Sequence, residues 1–143
     1  MHVEQLSIFL ENQTGRLAEV TGILAGAGVN IRALALADTS DFGILRLIVD
    51  DNDAAARALK AQGFTVQKTN VVAVEVPDKP GGLHAIVDLL HKGSVNVEYM
   101  YAFVRQSGDR AVMIFRFEDT HEAISLLREN RITVIDEHIL YGL

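Results

Sequence analysis

The stretch NQTGRLAEVTGILAGAGVNI, residues 12–31, decides the fold. Apolar residues recur through it three or four positions apart, which is typical of a helix that packs one face on a core. They are Leu17, Val20, Ile23, Leu24 and Ala27. Gly15 precedes this helix and Gly26 and Gly28 follow it, as expected of a turn before a helix and of a glycine-rich helix end. The stretch therefore predicts one helix between a turn and a strand that begins near residue 29.

The same stretch occurs a second time in the chain. A shift of 66 residues places Gly15 on Gly81 and Asn30 on Asn96. After a two-residue insertion near the second hairpin the shift becomes 68, and Leu59 then falls on Leu127. The identities are few, but they keep the same order and fall at matching positions of the predicted elements. The chain is therefore an internal duplication.

Each copy is predicted to contain a strand, a helix, a hairpin of two strands, a second helix and a short strand. Alternation of apolar and polar residues predicts the strands, and helical periodicity with glycine at the end predicts the helices. In the first copy the strands and the second helix are predicted at about 3–11, 29–38, 42–50, 52–62 and 64–68, and the first helix carries the stripe from Leu17 to Ala27. In the second copy, which begins at about residue 71, the helices are predicted at 81–92 and 119–130 and the hairpin near 106–109.

This order predicts an α+β protein made of two tandem ferredoxin-like βαββαβ domains, each an antiparallel sheet with both helices on one face. The domains are predicted at 1–69 and 70–143. The other sheet face carries apolar residues, among them Ile44, Ile48, Val112 and Ile114. Because exposed apolar faces usually mark an interaction surface, we expect another chain to cover this face in a homodimer.

Composition narrows the range of functions. The 143 residues are 49% hydrophobic and 22% charged, with a net charge of -6. An acidic chain is not attracted to nucleic acid or to an anionic membrane, so neither is expected as a partner. The chain has no cysteine, which excludes disulfides, thiolate catalysis and cysteine-ligated zinc, and which fits a cytoplasmic location. No apolar run approaches the roughly 20 residues that a membrane-spanning helix needs.

The sequence predicts neither a metal nor a cofactor. His84 and His91 lie seven residues apart without a neighbouring metal-binding motif, so the histidines are interpreted as solvated surface residues. The acidic run Asp50–Asp53 lacks the glycine and the distal glutamate of a calcium loop, and it precedes a helix that it can cap. No phosphate-binding loop and no nucleophile elbow occurs.

The turn and strand motifs together resemble the ACT domain, a ligand-binding regulatory module of amino-acid metabolism. The first copy shows Asn12-x-x-Gly15-x-Leu17 and then Gly28-Val29-Asn30-Ile31. The second shows Asp78-Lys79-Pro80-Gly81-Gly82-Leu83 and then Ser94-Val95-Asn96-Val97. The resemblance covers nearly the whole chain. It implies a free-standing tandem ACT protein that is not an enzyme and that binds a small molecule, commonly an amino acid, at domain interfaces.

The resemblance implies ligand residues at the turn before the first helix of each copy and at the start of the following strand. In the first copy these are Asn12, Gln13, Thr14, Gly15, Arg16, Leu17, Asn30 and Ile31. In the second they are Asp78, Pro80, Gly81, Gly82, Leu83, Asn96 and Val97. A glycine at a helix N-terminus lets backbone N–H groups approach a carboxylate, and an asparagine offers both donors and an acceptor. The alternative interpretation is that these residues only form turns and helix caps.

The two turns differ in charge, so the two sites are not expected to be equivalent. The first turn has neutral Asn12 and cationic Arg16, whereas the second has acidic Asp78 and cationic Lys79 and places Gly82 where Arg16 stands. A carboxylate should prefer the first turn, because Asp78 would repel it unless that side chain meets the ligand's ammonium group.

Three functional hypotheses follow. The first is a non-catalytic regulatory protein that senses an amino acid. The second is a regulatory subunit or partner of an amino-acid biosynthetic enzyme, since the start of the chain also resembles the small subunit of acetolactate synthase. The third is a small ferredoxin-like enzyme such as an acylphosphatase, which the pairing of Asn12 with Arg16 imitates only loosely.

Overall fold

A computed structural model describes residues 3–11, 13–38, 41–103 and 110–142. The chain divides into two compact units, Glu4–Thr69 and Asn70–Leu143, and Val3 groups with the second. The first unit comprises β1 (Val3–Glu11), α1 (Arg16–Gly26), β2 (Ile31–Asp38), β3 (Phe42–Val49), α2 (Asn52–Ala61) and the start of β4 (Thr65–Pro77). The second comprises the rest of β4, α3 (Gly82–Lys92), β5 (Val97–Ala102), β6 (Arg110–Phe117), α4 (Thr120–Glu129), β7 (Val134–Ile135) and α5 (Glu137–Tyr141).

Both units are antiparallel sheets of the same topology. In the first, the strand order is β2-β3-β1 followed by β4, and in the second it is β5-β6-β4 followed by β7. The predicted α+β class and βαββαβ order are therefore confirmed. The element bounds lie within about two residues of the predicted ones, except at the hairpin residues 39, 40 and 104–109, which lie outside the described part of the chain.

One face of each sheet packs on both helices of its unit. In the first unit the core joins β1 and β3 to α1 and α2, and its fully or almost fully buried members include Leu6, Ile8, Leu24, Leu47 and Leu59. Leu6 lies opposite Leu47 and Ile8 opposite Leu45 in the strand register, so the alternating apolar residues of the two strands meet on this face. The second unit repeats the arrangement around Phe115 and Phe117.

The helix-free sheet faces differ from the prediction. Ile48, Val112 and Ile114 are fully buried within the single chain, and Gln5 and Ser7 on β1 are buried as well. The expectation that this face stays bare until another chain covers it is therefore wrong at these positions. These residues give no support to a homodimer.

Two other elements depart from the sequence prediction. The sequence predicts two separate strands at the junction of the copies, one that ends the first copy and one that begins the second. In the structure they form one continuous strand, β4. No glycine or proline interrupts Gln67-Lys68-Thr69-Asn70, so nothing in that stretch ends the strand. Helix α5 was not predicted; it begins after Asp136, and its Leu140 is fully buried.

The second helix of each unit begins with the same cap. Asp51 accepts a hydrogen bond from the backbone N–H of Ala54, and Asp119 accepts one from that of Glu122, both at 3.0 Å. In the first unit, Lys68 on β4 donates a 2.9 Å hydrogen bond to Asp53 at the start of α2. This contact lowers the pKa of Asp53 and raises that of Lys68. Because both groups are exposed, we assign the pair a minor part in stability.

Left-handed backbone positions also repeat, but with different residues. Gly28 and Gly63 have φ of 72° and 87° in the first unit, and the equivalent Ser94 and Arg131 have φ of 57° and 60° in the second. This conformation costs a residue with a Cβ atom about 1–2 kcal/mol, whereas glycine adopts it without that cost. The second unit therefore carries backbone strain at two helix ends where the first has none.

Replacing Ser94 or Arg131 with glycine is expected to raise the free energy of unfolding by about 1 kcal/mol each, because the left-handed strain is removed. Urea denaturation followed by circular dichroism would measure the change. The reverse substitutions, Gly28→Ser and Gly63→Arg, serve as matched controls and should lower stability by a similar amount. A loss of stability in Ser94→Gly or Arg131→Gly would contradict the assignment of strain.

Candidate ligand-binding site

Several elements of the first unit converge at one end of its sheet. Strand β1 ends there at Glu11, which lies opposite Phe42, the first residue of β3. Helix α1 begins nearby at Arg16, after a short turn. Helix α2 returns to the same end, where residues 62–65 lead into β4. We call this region, formed by residues 9–17, 36, 42–43 and 62–65, the turn end.

The turn before α1 has the same backbone pattern as the turn before α3. The N–H of Gln13 donates to the carbonyl of Glu11 at 2.8 Å, and the N–H of Glu19 donates to that of Gly15 at 2.9 Å. Gly15 has φ of 90° and has no side chain to cap the helix. The N–H groups of Lys79 and Ala85 donate to the carbonyls at the equivalent positions in the second unit. The duplicated glycines therefore build the same turn twice.

The side chains at the two turns differ. The guanidinium group of Arg16 lies 3.0 Å from a carboxylate oxygen of Glu19 and 3.6 Å from one of Glu11. In the second unit, Gly82 occupies this position, and a Cβ atom built on it would lie 2.0 Å from the carbonyl oxygen of Pro77. The second turn is thus closed against its own strand at Gly82, and its cation, Lys79, stands three residues before the position that matches Arg16.

The predicted asparagines lie far from the turns of their own units. The backbone N–H of Asn30 donates to Asp50 Oδ1 at 2.9 Å, and Asp50 follows the last residue of β3. Asn30 therefore lies beyond the C-terminal end of α1, whereas Gly15 lies at its start. Eleven helical residues separate the two ends by about 16 Å. Gly15 and Asn30 therefore do not form one site within the first unit.

Two cavities open at the turn end. The smaller, of about 100 Å³, is lined by Leu10, Glu11, Gln13, Arg16, Leu17, Leu36 and Gly43. The larger, of about 260 Å³, is lined by Phe9, Leu10, Glu11, Arg16, Phe42, Gln62, Gly63, Phe64 and Thr65. Leu10, Glu11 and Arg16 border both cavities. We call them the turn cavity and the aromatic cavity.

The turn cavity contains three of the residues predicted from the sequence, Gln13, Arg16 and Leu17. It combines a cation and a helix N-terminus, which attract a carboxylate, with the carboxylate of Glu11 and the apolar side chains of Leu17 and Leu36. Such a set of groups can bind both head groups of an α-amino acid. Of the other predicted residues in this unit, Thr14 and Asn30 are exposed and Ile31 is half-buried, while Asn12 lies outside the described residues.

The predicted residues of the second unit lie at its own turn and at the start of β5. Asp78, Pro80, Gly81 and Asn96 are exposed, Leu83 is 38% exposed, Val97 is half-buried and Gly82 is buried. The N–H of Glu118 donates to the carbonyl of Asn96 at 3.1 Å, as Asp50 does to Asn30 in the first unit. The second unit thus keeps the scaffold of the first without its arginine.

Sequence reasoning missed Glu11, Leu36 and Phe42 as site residues. A signal was present, because Phe42 is a large apolar residue in a predicted hairpin and Leu36 lies on an edge strand. Both side chains are strongly exposed, at 58% and 52%. Only the strand register shows that they lie beside the turn before α1.

The described residues bring no three His, Cys, Asp or Glu side chains together as a metal site would require. Across the same part of the chain, no helix has the length and apolar character of a membrane-spanning segment.

Comparison with known proteins gives the same fold. The family model described as ACT domain pair matches residues 1–143. A crystal structure of protein BT0572 from Bacteroides thetaiotaomicron is 41% identical, with a TM-score of 0.93, and the match covers 100% of this chain and 98% of that one. The ligand-free regulatory subunit of aspartate kinase from Thermus thermophilus is 17% identical, with a TM-score of 0.64 over 88% of this chain and 90% of that one. A search of curated proteins found no match.

Proposed function

The chain belongs to the ACT domain pair family, and on that premise we propose that it is a non-catalytic regulatory protein that binds an amino acid at the turn end of its first unit. The proposal includes a cytoplasmic location and a homodimer whose second chain supplies the strand-start asparagine. The observation that carries it is the turn cavity, where Arg16 lies beside a helix N-terminus.

The groups of the turn cavity suit the two ends of an α-amino acid. Arg16 and the first N–H groups of α1 bind the carboxylate through charge-assisted hydrogen bonds. Glu11, on the other side of Arg16, binds the ammonium group. Leu17, 40% exposed, supplies an apolar surface for the Cα region of the ligand. These are binding groups, and the cavity brings no serine, cysteine or histidine beside them.

Regulation follows if the bound ligand favours one of two states of the protein. A ligand shifts such an equilibrium only by its difference in affinity for the two states. In the present case the turn before α1, Leu36 on β2 and the start of β3 border the turn cavity, so binding can change how these segments meet a partner.

We expect the free energy of unfolding to rise with at least one of the twenty amino acids, by about 2.7 kcal/mol at 100 times the dissociation constant. Thermal-shift titration would detect the rise as an increase in Tm. Arg16→Gln should weaken that binding by roughly 10- to 100-fold, because a hydrogen bond to a charged group contributes about 1.5–3 kcal/mol.

Arg57→Gln is the matched control for this substitution, because Arg57 is an exposed arginine of the same unit on α2 and borders neither cavity. It should bind like the unmodified protein. Unchanged binding in Arg16→Gln, or a flat response of folded protein to all twenty amino acids, would reject the proposal.

A second candidate is a regulatory subunit of an amino-acid biosynthetic enzyme. The fold shared with the regulatory subunit of aspartate kinase from Thermus thermophilus favours it. Co-expression with the catalytic subunits of such enzymes, followed by size-exclusion chromatography, would show a stable complex in this case and separate peaks otherwise.

A further inference from the structure

We propose that the aromatic cavity is the side-chain pocket of the ligand site, so that the ligand is an α-amino acid with a large apolar side chain. This inference rests on the proposed function, since it assigns the head groups to Arg16 and Glu11. It adds the chemical class of the ligand, which the turn cavity does not define.

The aromatic cavity is lined by three phenylalanines from three different elements. Phe9 lies on β1, Phe42 begins β3, and Phe64 precedes β4. Phe9 is 39% exposed and Phe42 58% exposed, so much of this aromatic surface faces water. An apolar ligand group that covers it gains the hydrophobic free energy of both surfaces.

The positions of Arg16 and Glu11 determine the orientation of the bound amino acid. Arg16 and Glu11 border both cavities, so a carboxylate and an ammonium group bound to them hold the Cα atom at the boundary. One guanidinium group lies between the two carboxylates of Glu11 and Glu19, which leaves one negative charge in excess. The ligand's ammonium group pairs with a carboxylate there, while the zwitterion as a whole leaves the net charge of the site unchanged. The side chain then extends from the boundary into the aromatic cavity.

The second unit lacks the aromatic lining at matching positions. In the strand register, Glu11 lies opposite Phe42 in the first unit and Pro77 lies opposite Arg110 in the second. Counted through the two shifts, Glu75, Arg110 and Ile132 replace Phe9, Phe42 and Phe64. Glu75 and Arg110 form an ion pair at 3.5 Å. The same scaffold thus carries an ion pair in one unit and an aromatic cavity in the other.

The size and lining of the cavity limit the side chain that it accepts. A volume of about 260 Å³ lies below the roughly 300–1,000 Å³ of pockets for drug-sized ligands, which suits one amino acid. Phe9 and Phe42 favour an apolar side chain over a charged one, which would lose hydration beside them, although Glu11, Arg16, Gln62 and Thr65 make the rest of the lining polar. Glycine and alanine would leave the cavity unfilled.

The test is isothermal titration of the full chain with L-phenylalanine, L-leucine, L-alanine, glycine, L-aspartate and L-lysine. We expect the affinity for phenylalanine or leucine to exceed that for alanine at least about tenfold, because each buried CH₂ contributes about 0.8 kcal/mol. 3-Phenylpropionate and phenethylamine, which each lack one head group, should bind at least about tenfold more weakly than phenylalanine.

The decisive variant introduces the ion pair of the second unit at the matching positions of the first unit. Phe9→Glu combined with Phe42→Arg places an ion pair where the second unit already holds one, so the scaffold is expected to tolerate it. It should abolish the preference for large apolar side chains. Phe42→Ala should reduce that preference, and Val87→Ala, at a partly exposed valine on α3 of the second unit, should leave it unchanged.

The outcomes separate the inference from the proposed function. If no amino acid binds the folded protein, both fail. If amino acids bind but alanine or aspartate binds as tightly as phenylalanine, or if the double variant keeps the apolar preference, this inference fails and the proposed function stands. If 3-phenylpropionate binds as tightly as phenylalanine, the site does not recognise the ammonium group, and the inference that the ligand is an α-amino acid fails.

Discussion

Phe117→Ala is expected to lower the free energy of unfolding by about 3–5 kcal/mol, the largest stability effect that we predict. Phe117 on β6 is fully buried in the core of the second unit, between the sheet and its two helices. Its ring stacks on that of Phe115 with centroids 5.4 Å apart and an interplanar angle of 3°. Truncation removes buried apolar surface, leaves a cavity and breaks the aromatic contact, which adds about 0.5–1.5 kcal/mol.

Urea denaturation of Phe117→Ala, Phe115→Ala and the double variant would separate the aromatic contact from burial. The coupling should be favourable, and additive losses would contradict the stacking interaction. Phe42→Ala is the matched control, since Phe42 is 58% exposed and its truncation should change stability by less than about 0.5 kcal/mol. That expectation also makes Phe42→Ala a suitable variant for binding measurements.

Gly82→Ala is expected to destabilise the protein by about 1–3 kcal/mol. The new Cβ atom would lie 2.0 Å from the backbone oxygen of Pro77, and a backbone atom cannot move aside as the end of a flexible side chain can. The turn before α3 must therefore open for the variant to fold. Chemical denaturation would measure the loss, and an undiminished stability would show that the turn is not closed against the strand.

Gly22→Ala is the control with the opposite sign. Gly22 lies in the interior of α1, is exposed, and a Cβ atom built on it would meet nothing within 4 Å. Alanine should stabilise the protein by up to about 1 kcal/mol, because glycine is a poor helix former. Opposite effects of the same substitution would separate steric closure at the second turn from helix propensity.

The closure at Gly82 also bears on function. Because any side chain meets the carbonyl of Pro77 there, the second unit cannot acquire the equivalent of Arg16 by simple substitution. An arginine at the position of Arg16 is thereby confined to the first turn, while the second unit keeps the same helix–turn scaffold.

The sequence identified several residues of the candidate site, but it did not show which of them lie close together. The resemblance pointed to Gln13, Arg16 and Leu17, and these line the turn cavity. It also grouped Asn30 with the turn, although a whole helix separates them within one unit. A sequence motif records which residues precede and follow a helix. It does not record that the two ends of that helix lie on opposite sides of the unit.

The sequence by itself determined the duplication and the order of strands and helices, because these depend on local periodicity and on turn residues close together in the chain. Of the core stripe predicted for α1, Val20 and Leu24 are buried, whereas Leu17 and Ala27 are exposed. Only the tertiary structure decided that β4 runs through the unit boundary and that Phe9, Phe42 and Phe64 line one cavity beside Arg16. The physical reason is strand register. Pairing of β1 with β3 brings together residues distant in sequence, and each of these phenylalanines read alone is an ordinary strand residue.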